Sequence, residues 1–328
     1  MKRNLFLIGL IAGIWNVACT ETHPIYTLNE KGGLTNLYFP DTGNDTVQFH
    51  SEEFAGPSLF LNEQALALNT NGKEGNYVGS TETLDYGLDY SSSGNQFAIT
   101  VKCRNRSGKD LENLQFSLQL GINTVMASYP AWRTVYFPTL LRCEQTHFWG
   151  YMMNPNGGII TIASPDPVAS YHLQYNNYQF DWPKVFGSGH LIRTVTLDLL
   201  NPQPLPAGNP LHADRLKKDE TRTWTIYLGS VKNLAEVIPA TAALTKAPTI
   251  TADVYTVSEG ENVNLTVYGS KQPQLTVTSP DGEKQNLDLK RSKNGVYQVA
   301  YTPSSGKGVY QLTAKTPDGK ISEACVSV

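Results

Sequence analysis

Charge is the first thing this sequence is short of. Asp, Glu, Lys and Arg make up 17 % of its 328 residues, against roughly 25 % in ordinary soluble domains. Neither sign dominates, since 26 Lys+Arg stand against 29 Asp+Glu for a formal net charge of -3. That near balance argues against a nucleic-acid binder, which would show a basic face or stripe. Its four cysteines include no C-x-x-C pair and no clustered Cys/His spacing, which argues against structural zinc. Beyond the first residues no apolar stretch approaches the roughly 20 residues of a membrane-spanning helix. Also missing are G-x-x-x-x-G-K-S/T, G-x-S-x-G, G-x-G-x-x-G and H-E-x-x-H, so phosphate-loop, nucleophile-elbow, dinucleotide and zinc-protease chemistries have no signature. No cofactor is expected.

What is present is turn and strand formers: 27 Gly, 19 Pro and 17 Tyr in a chain 40 % hydrophobic. That composition is neither disordered nor a helical bundle. It reads as strands cut by many turns, and the length suits two domains. At the front, Lys2 and Arg3 precede an apolar run over residues 5–15 and then Val17-Ala18-Cys19. A charged start, a short apolar middle and small residues make a secretory signal, residues 1–18, set apart from the fold. Cys19 after Val-Ala resembles the lipid-bearing cysteine of a bacterial lipobox, although Asn16 stands where an aliphatic residue is usual; ordinary cleavage nearby is the alternative. The mature chain is expected in the periplasm or on the outer-membrane surface, anchored to the membrane through a lipid on Cys19. An oxidising compartment invites a Cys103–Cys143 bridge. Cys325, set in a hydrophobic alternation, reads as a buried small hydrophobe.

From residue 24 to 232 short alternating runs recur between turn signals. Phe97, Ile99 and Val101 share one face of residues 96–102, and Leu114, Phe116, Leu118 and Leu120 repeat with period two, as half-buried strands require. This predicts an all-β architecture with a large antiparallel sandwich over 24–232. In the linker 233–248, Leu234, Val237, Ile238 and Ala242 fit one short helix face, which Pro239 is expected to break. Residues 249–328 hold about seven short strands, with the tight turns Pro280-Asp281-Gly282 and Pro317-Asp318-Gly319. They predict an immunoglobulin-like sandwich, with Tyr310 as its tyrosine corner and Leu312 where an intersheet cysteine would stand.

The chemistry-bearing signal is aromatic density. Twelve aromatics fall in residues 129–182, a little over twice their share of the chain, interleaved with Arg133, Arg142, Glu144, His147, Asp166, His172, Asn176, Asn177 and Asp181. Flat rings cover the C–H faces of sugars while neighbouring polar groups bond the hydroxyls. Trp132, Trp149, Tyr175, Tyr178, Asp181 and Trp182 are therefore the candidate carbohydrate contacts, with residues 175–182 read as a loop carrying exposed rings. A sandwich core that happens to use large aromatics fits the same residues. Glu144 with Asp166 or Asp181 is the candidate carboxylate pair for glycosidase chemistry, and His147 and His172 are candidate proton carriers.

The lipoprotein-like front, the turn Asn105-Arg106-Ser107-Gly108-Lys109-Asp110-Leu111 and the late strand over residues 218–227 resemble a galactose-mutarotase-like supersandwich. Joined to an immunoglobulin-like module, the chain is similar to the N-terminal half of Bacteroides-type polysaccharide-degrading lipoproteins, in which a six-hairpin toroid usually follows and carries the active site. The resemblance is one of architecture and turn phrasing, and it transfers no catalytic residue. It implies an exported protein that binds or scaffolds polysaccharide or oligosaccharide rather than cleaving it. The alternative is a glycoside hydrolase or polysaccharide lyase, or the front part of one, with acid/base residues in 129–182. With Val328 on the last expected strand, the toroid is not in this chain, and a stand-alone module or a truncated gene are the two expectations.

Overall fold

A computed structural model describes residues 23–49, 56–124, 130–178, 190–203 and 213–328. In chain order the first strands are β1 (Ile25–Leu28), β2 (Leu34–Tyr38), β3 (Val47–Gln48), β4 (Ser58–Leu61), β5 (Gln64–Ala65), β6 (Asn69–Thr70), β7 (Asn76–Ser80) and β8 (Leu84–Ser93). There follow β9 (Gln96–Asn105), β10 (Phe116–Gln119), β11 (Phe137–Cys143), β12 (Phe148–Met153), β13 (Ile159–Ser164), β14 (Ser170–Tyr178), β15 (His190–Leu200) and β16 (Thr221–Val231). After helix α1 (Val237–Thr245) come β17 (Thr249–Ala252), β18 (Val263–Tyr268), β19 (Gln274–Thr278), β20 (Lys284–Leu287), β21 (Lys290–Lys293), β22 (Val296–Tyr301), β23 (Val309–Lys315) and β24 (Ile321–Ser327).

An eight-stranded sheet, ordered β11-β12-β13-β16-β9-β8-β7-β6, packs on a five-stranded one, β14-β15-β10-β4-β5. The period-two residues explain why. Phe97, Ile99, Val101 and Cys103 of β9 and Trp224, Ile226 and Leu228 of β16 meet Phe116 and Leu118 of β10 and Val195, Leu197 and Leu199 of β15 in one core. The small sheet β1-β2-β3 adds Leu34, Leu37 and Val47 to it. The strands expected around 97–101 and 114–120 are both there.

Cys103 and Cys143 are free thiols, which corrects the expected bridge. Their strands, β9 and β11, are four places apart in the sheet. At roughly 4.8 Å per strand that is about 19 Å, well beyond disulfide reach. Burial pushes the Cys103 thiol up to about 12. Pro239 is also corrected. It sits in the first turn of α1, where a missing N–H costs no helical hydrogen bond. The helix runs on and lies against the outer side of the eight-stranded sheet, burying Trp149, Ile159, Ala163 and Val231 under Val237 and Leu244.

The C-terminal strands form two sheets, β17-β18-β22-β21 and β20-β19-β23-β24, an immunoglobulin-type order with one strand more than the seven expected. Tyr310 is fully buried in their core beside Leu312. Its hydroxyl donates to Gly306 O at 2.8 Å and accepts from Ser305 N at 2.9 Å, a tyrosine corner. Cys325 is exposed, because Ser322 and Val326 take the inward parity of β24.

The two sandwiches meet through polar groups. Lys320 Nζ donates to Thr146 O at 3.0 Å and also to Pro165 O. Ile321 N donates to Thr146 Oγ1 at 3.0 Å, and Arg142 Nη2 donates to Glu323 O at 2.8 Å.

Candidate functional site

Among the described residues, those nominated from sequence fall in different surroundings. Trp149 is 3 % exposed, beneath α1, with the Arg142 guanidinium 5.6 Å from its ring centre. It presents no face to a sugar, so its assignment as a contact is corrected. The core-filling alternative holds for it, because odd positions of β12 face α1. Trp132 is half-buried on a 3-10 turn, Ala131–Thr134. Asp181, Trp182 and Cys19 lie outside the described residues. Tyr175 and Tyr178 lie on β14, in register with Arg193 and His190 of β15. The first part of the expected loop 175–182 is thus strand, since pairing with β15 carries the extended backbone through Asn176-Asn177.

Glu144 and His147 belong to the joint between the sandwiches. Glu144 is buried, with Arg142 Nη2 2.9 Å from its Oε1 and the Glu323 N–H at 3.4 Å. Burial raises its pKa, while Arg142 and these donors pull it back. His147 is fully buried, and burial first, then Lys320 and Arg142, lowers it to about 3. A ring so held stays neutral at physiological pH and does not take up a second proton. Asp166 Oδ2 accepts from Thr225 N at 3.0 Å. Of these groups Glu144 bonds across the joint between the sandwiches, while Asp166 bonds within the first of them.

His172 is different. β15 turns Val195, Leu197 and Leu199 into the core, so Thr196 and Asp198 face the other side of the five-stranded sheet. β10 does likewise with Ser117 and Gln119. On an ordinary sandwich this outer face is wet. Here Ser117, Gln119, Thr196 and Asp198 are each no more than 3 % exposed.

A buried carboxylate persists only when its lone pairs are taken up. Asp198 accepts from Ser117 Oγ at 2.8 Å, Ser170 Oγ at 2.6 Å and His172 Nδ1 at 3.1 Å. Asn201 Nδ2 donates to Ser170 Oγ at 2.7 Å and closes the network. Burial alone pushes the Asp198 carboxyl up, but the bonds from His172, Ser170 and Ser117 outweigh it and hold the carboxyl below its ordinary value. His172 moves the opposite way. Its bond to Asp198 raises it against the pull of burial, and the Asp198 and Glu63 charges add to the rise.

The imidazole side chain is 37 % exposed. With Nδ1 committed to Asp198, Nε2 is the ring's remaining polar atom, and no group among the described residues bonds it. The site therefore offers a ligand one oriented, readily protonated ring at the edge of a buried polar face. That ring can donate to a hydroxyl or carboxylate, or exchange a proton. Sequence reading named His172 and missed Asp198, Ser117, Ser170 and Asn201. In Thr194-Val195-Thr196-Leu197-Asp198-Leu199 the outward parity looks like any solvated strand face, and nothing local says it is covered. Among the described residues no cluster of His, Cys, Asp or Glu is placed to hold a metal.

No family model matches the chain, and none of the curated proteins does. Among solved structures it is similar to a polysaccharide lyase at TM-score 0.62 and 8 % identity, covering 93 % of this chain and 46 % of that one. The chain thus spans about half the length of the lyase, and at that identity the likeness is one of fold. A kojibiose phosphorylase from human microbiome is similar at TM-score 0.30 and 9 % identity, over 68 % of this chain and 28 % of that one. SGBP-B of the Bacteroides ovatus mixed-linkage glucan utilization locus, in complex with a mixed-linkage heptasaccharide, is similar at TM-score 0.24 and 10 % identity, over 93 % and 63 %. The last two scores are too low to bear on the fold, which is an all-β antiparallel sandwich architecture shared with a carbohydrate-active protein.

Proposed function

We propose that this chain is an exported, glycan-associated protein that binds polysaccharide at the edge of its five-stranded sheet and does not itself cleave it. The observation that carries the reading is the Asp198-held imidazole of His172, half-exposed beside a polar face that is otherwise buried. A ring held at one nitrogen, whose other nitrogen is bonded by no group among the described residues, fixes the orientation of a sugar hydroxyl or carboxylate at little entropic cost. The sandwich likeness to a polysaccharide lyase supports the ligand class. The signal-like front and Cys19 support export to the cell envelope with a lipid anchor. The test is calorimetry of the full mature chain against a panel of neutral and acidic polysaccharides. We expect a member of the panel to bind and His172→Ala to weaken it at least tenfold, with Trp182→Ala weakening it further if that ring stacks on the sugar. Binding untouched by His172→Ala overturns the reading.

A second reading has its own observation, since a histidine oriented by a buried carboxylate is also the geometry of a proton-transfer group. Chain shortening of a bound polysaccharide by the wild type, abolished in His172→Ala, would make the protein an enzyme and displace the first reading.

A further inference from the structure

The C-terminal sandwich has a second polar surface that shares no residue with the His172 face. Val263, Leu265 and Val267 of β18 and Tyr297 and Tyr301 of β22 point into its core. Asn264, Thr266 and Gln298 take the opposite parity, with Thr266 directly across from Gln298. At the next strand the β21–β22 register shifts between Arg291 and Lys293. A bulge of this kind bends an edge strand and re-aims its side chains. The result is an open groove of about 520 Å³, lined among others by Asn264, Thr266, Asp288, Lys290, Arg291 and Gln298.

Charge is uneven here. The groove's own charged residues are Lys290 and Arg291 against Asp288 alone, in a chain of net charge -3. Among the described residues the ion pairs involve none of these cations. Arg291 Nη2 donates to Asn294 Oδ1 at 2.6 Å, which steadies the guanidinium and leaves its other N–H groups for a ligand. Lysines on an edge strand also discourage edge-to-edge pairing. That role accounts for the charge on β21; it does not account for a groove whose floor is the amides and hydroxyls of two inner strands.

We propose that this groove is a second glycan subsite, selective for anionic polysaccharide. Lys290 and Arg291 pair with the carboxylates, Arg291 through its planar fork, and Asn264, Thr266 and Gln298 meet the hydroxyls. The proposal shares only its ligand class with the reading above, and different residues carry it. The experiment is calorimetry of the full mature chain with polygalacturonate and with the same polymer after its carboxyls are reduced to alcohols. His172→Ala serves as the background that silences the first face. Lys290 and Arg291 are surface residues, and near-UV circular dichroism checks that the Lys290→Ala/Arg291→Ala variant is folded. We expect polygalacturonate to bind, the reduced polymer to bind at least tenfold more weakly, and each lost cation to cost roughly tenfold. The affinity should fall steeply with added salt and survive His172→Ala. Affinity unchanged in the double variant overturns the proposal, as does equal affinity for the reduced polymer or for duplex DNA, or no binding of polygalacturonate at all.

Discussion

Replacing Asp198 with asparagine keeps the shape of the side chain and removes its charge, and three donors feel the change. Ser117 Oγ, Ser170 Oγ and His172 Nδ1 stand 2.8, 2.6 and 3.1 Å from its oxygens. A hydrogen bond to a charged partner contributes roughly 1.5–3 kcal/mol, and one to a neutral partner about 1. Ser117 and Ser170 bond different oxygens of Asp198, so the single amide oxygen keeps only one of them, at the weaker value, while the amide NH2 turns a donor toward the other. His172 adds less, because solvent screens a side chain 37 % exposed. The expected loss for Asp198→Asn is about 2–4 kcal/mol near neutral pH. The pH dependence follows from the two shifts. The raised His172 pKa means its share is fully present below the ordinary imidazole value and is lost as pH rises through the raised one. The lowered Asp198 pKa means its share is present above the ordinary carboxylate value and is lost as pH falls through the lowered one. The difference between wild type and variant is therefore greatest between those two pKa values and shrinks on both sides. Urea denaturation across pH measures it, alongside the His172 Cε1–H titration by NMR. Without Asp198 the strongest upward influence is gone and burial dominates, so the His172 pKa should drop. An unmoved His172 titration, or a stability difference flat from about pH 4 to 9, would refute the argument.

Trp149→Ala should destabilise the protein by about 3–5 kcal/mol, as a buried tryptophan deletion does, yet leave glycan affinity unchanged; lost affinity in folded variant would return Trp149 to the binding surface. In Tyr310→Phe the Ser305 N–H and Gly306 C=O lose their partner in a buried corner, and urea unfolding of the C-terminal sandwich should fall by roughly 1–2 kcal/mol. Lys320→Met leaves two carbonyls, Thr146 O and Pro165 O, without their shared donor. Limited proteolysis should then cut the 233–248 segment at least several-fold faster, while unchanged cleavage would mean that α1 alone holds the joint.

Much of the architecture was legible because it rests on local rules. Period-two residues such as Phe97, Ile99, Val101, Phe116 and Leu118 face one core whatever the strand order. The Pro-Asp-Gly turns mark their own geometry, since proline presets φ and Gly282 and Gly319 take positive φ. Tyr310 was recognisable because its partners Ser305 and Gly306 lie within five residues of it. Aromatic density in 129–182, by contrast, mixed two environments. Alternation along β12 says that Trp149 and Phe148 face opposite ways, but which side a helix later covers is not written in that strand.

Sequence by itself determined the strand class, the parity of each strand and the tyrosine corner, because backbone sterics and side-chain alternation act over a few residues. Only the tertiary structure decided that Cys103 and Cys143 stand four strands apart, that Glu144 bonds across the joint between two sandwiches, and that α1 buries Trp149. It alone brought Ser117, from β10, to Asp198, 81 residues later on β15, and made a covered carboxylate the anchor of His172. Contacts of that separation depend on strand order and on which sheet face is covered, and both are settled by burying the whole core at once.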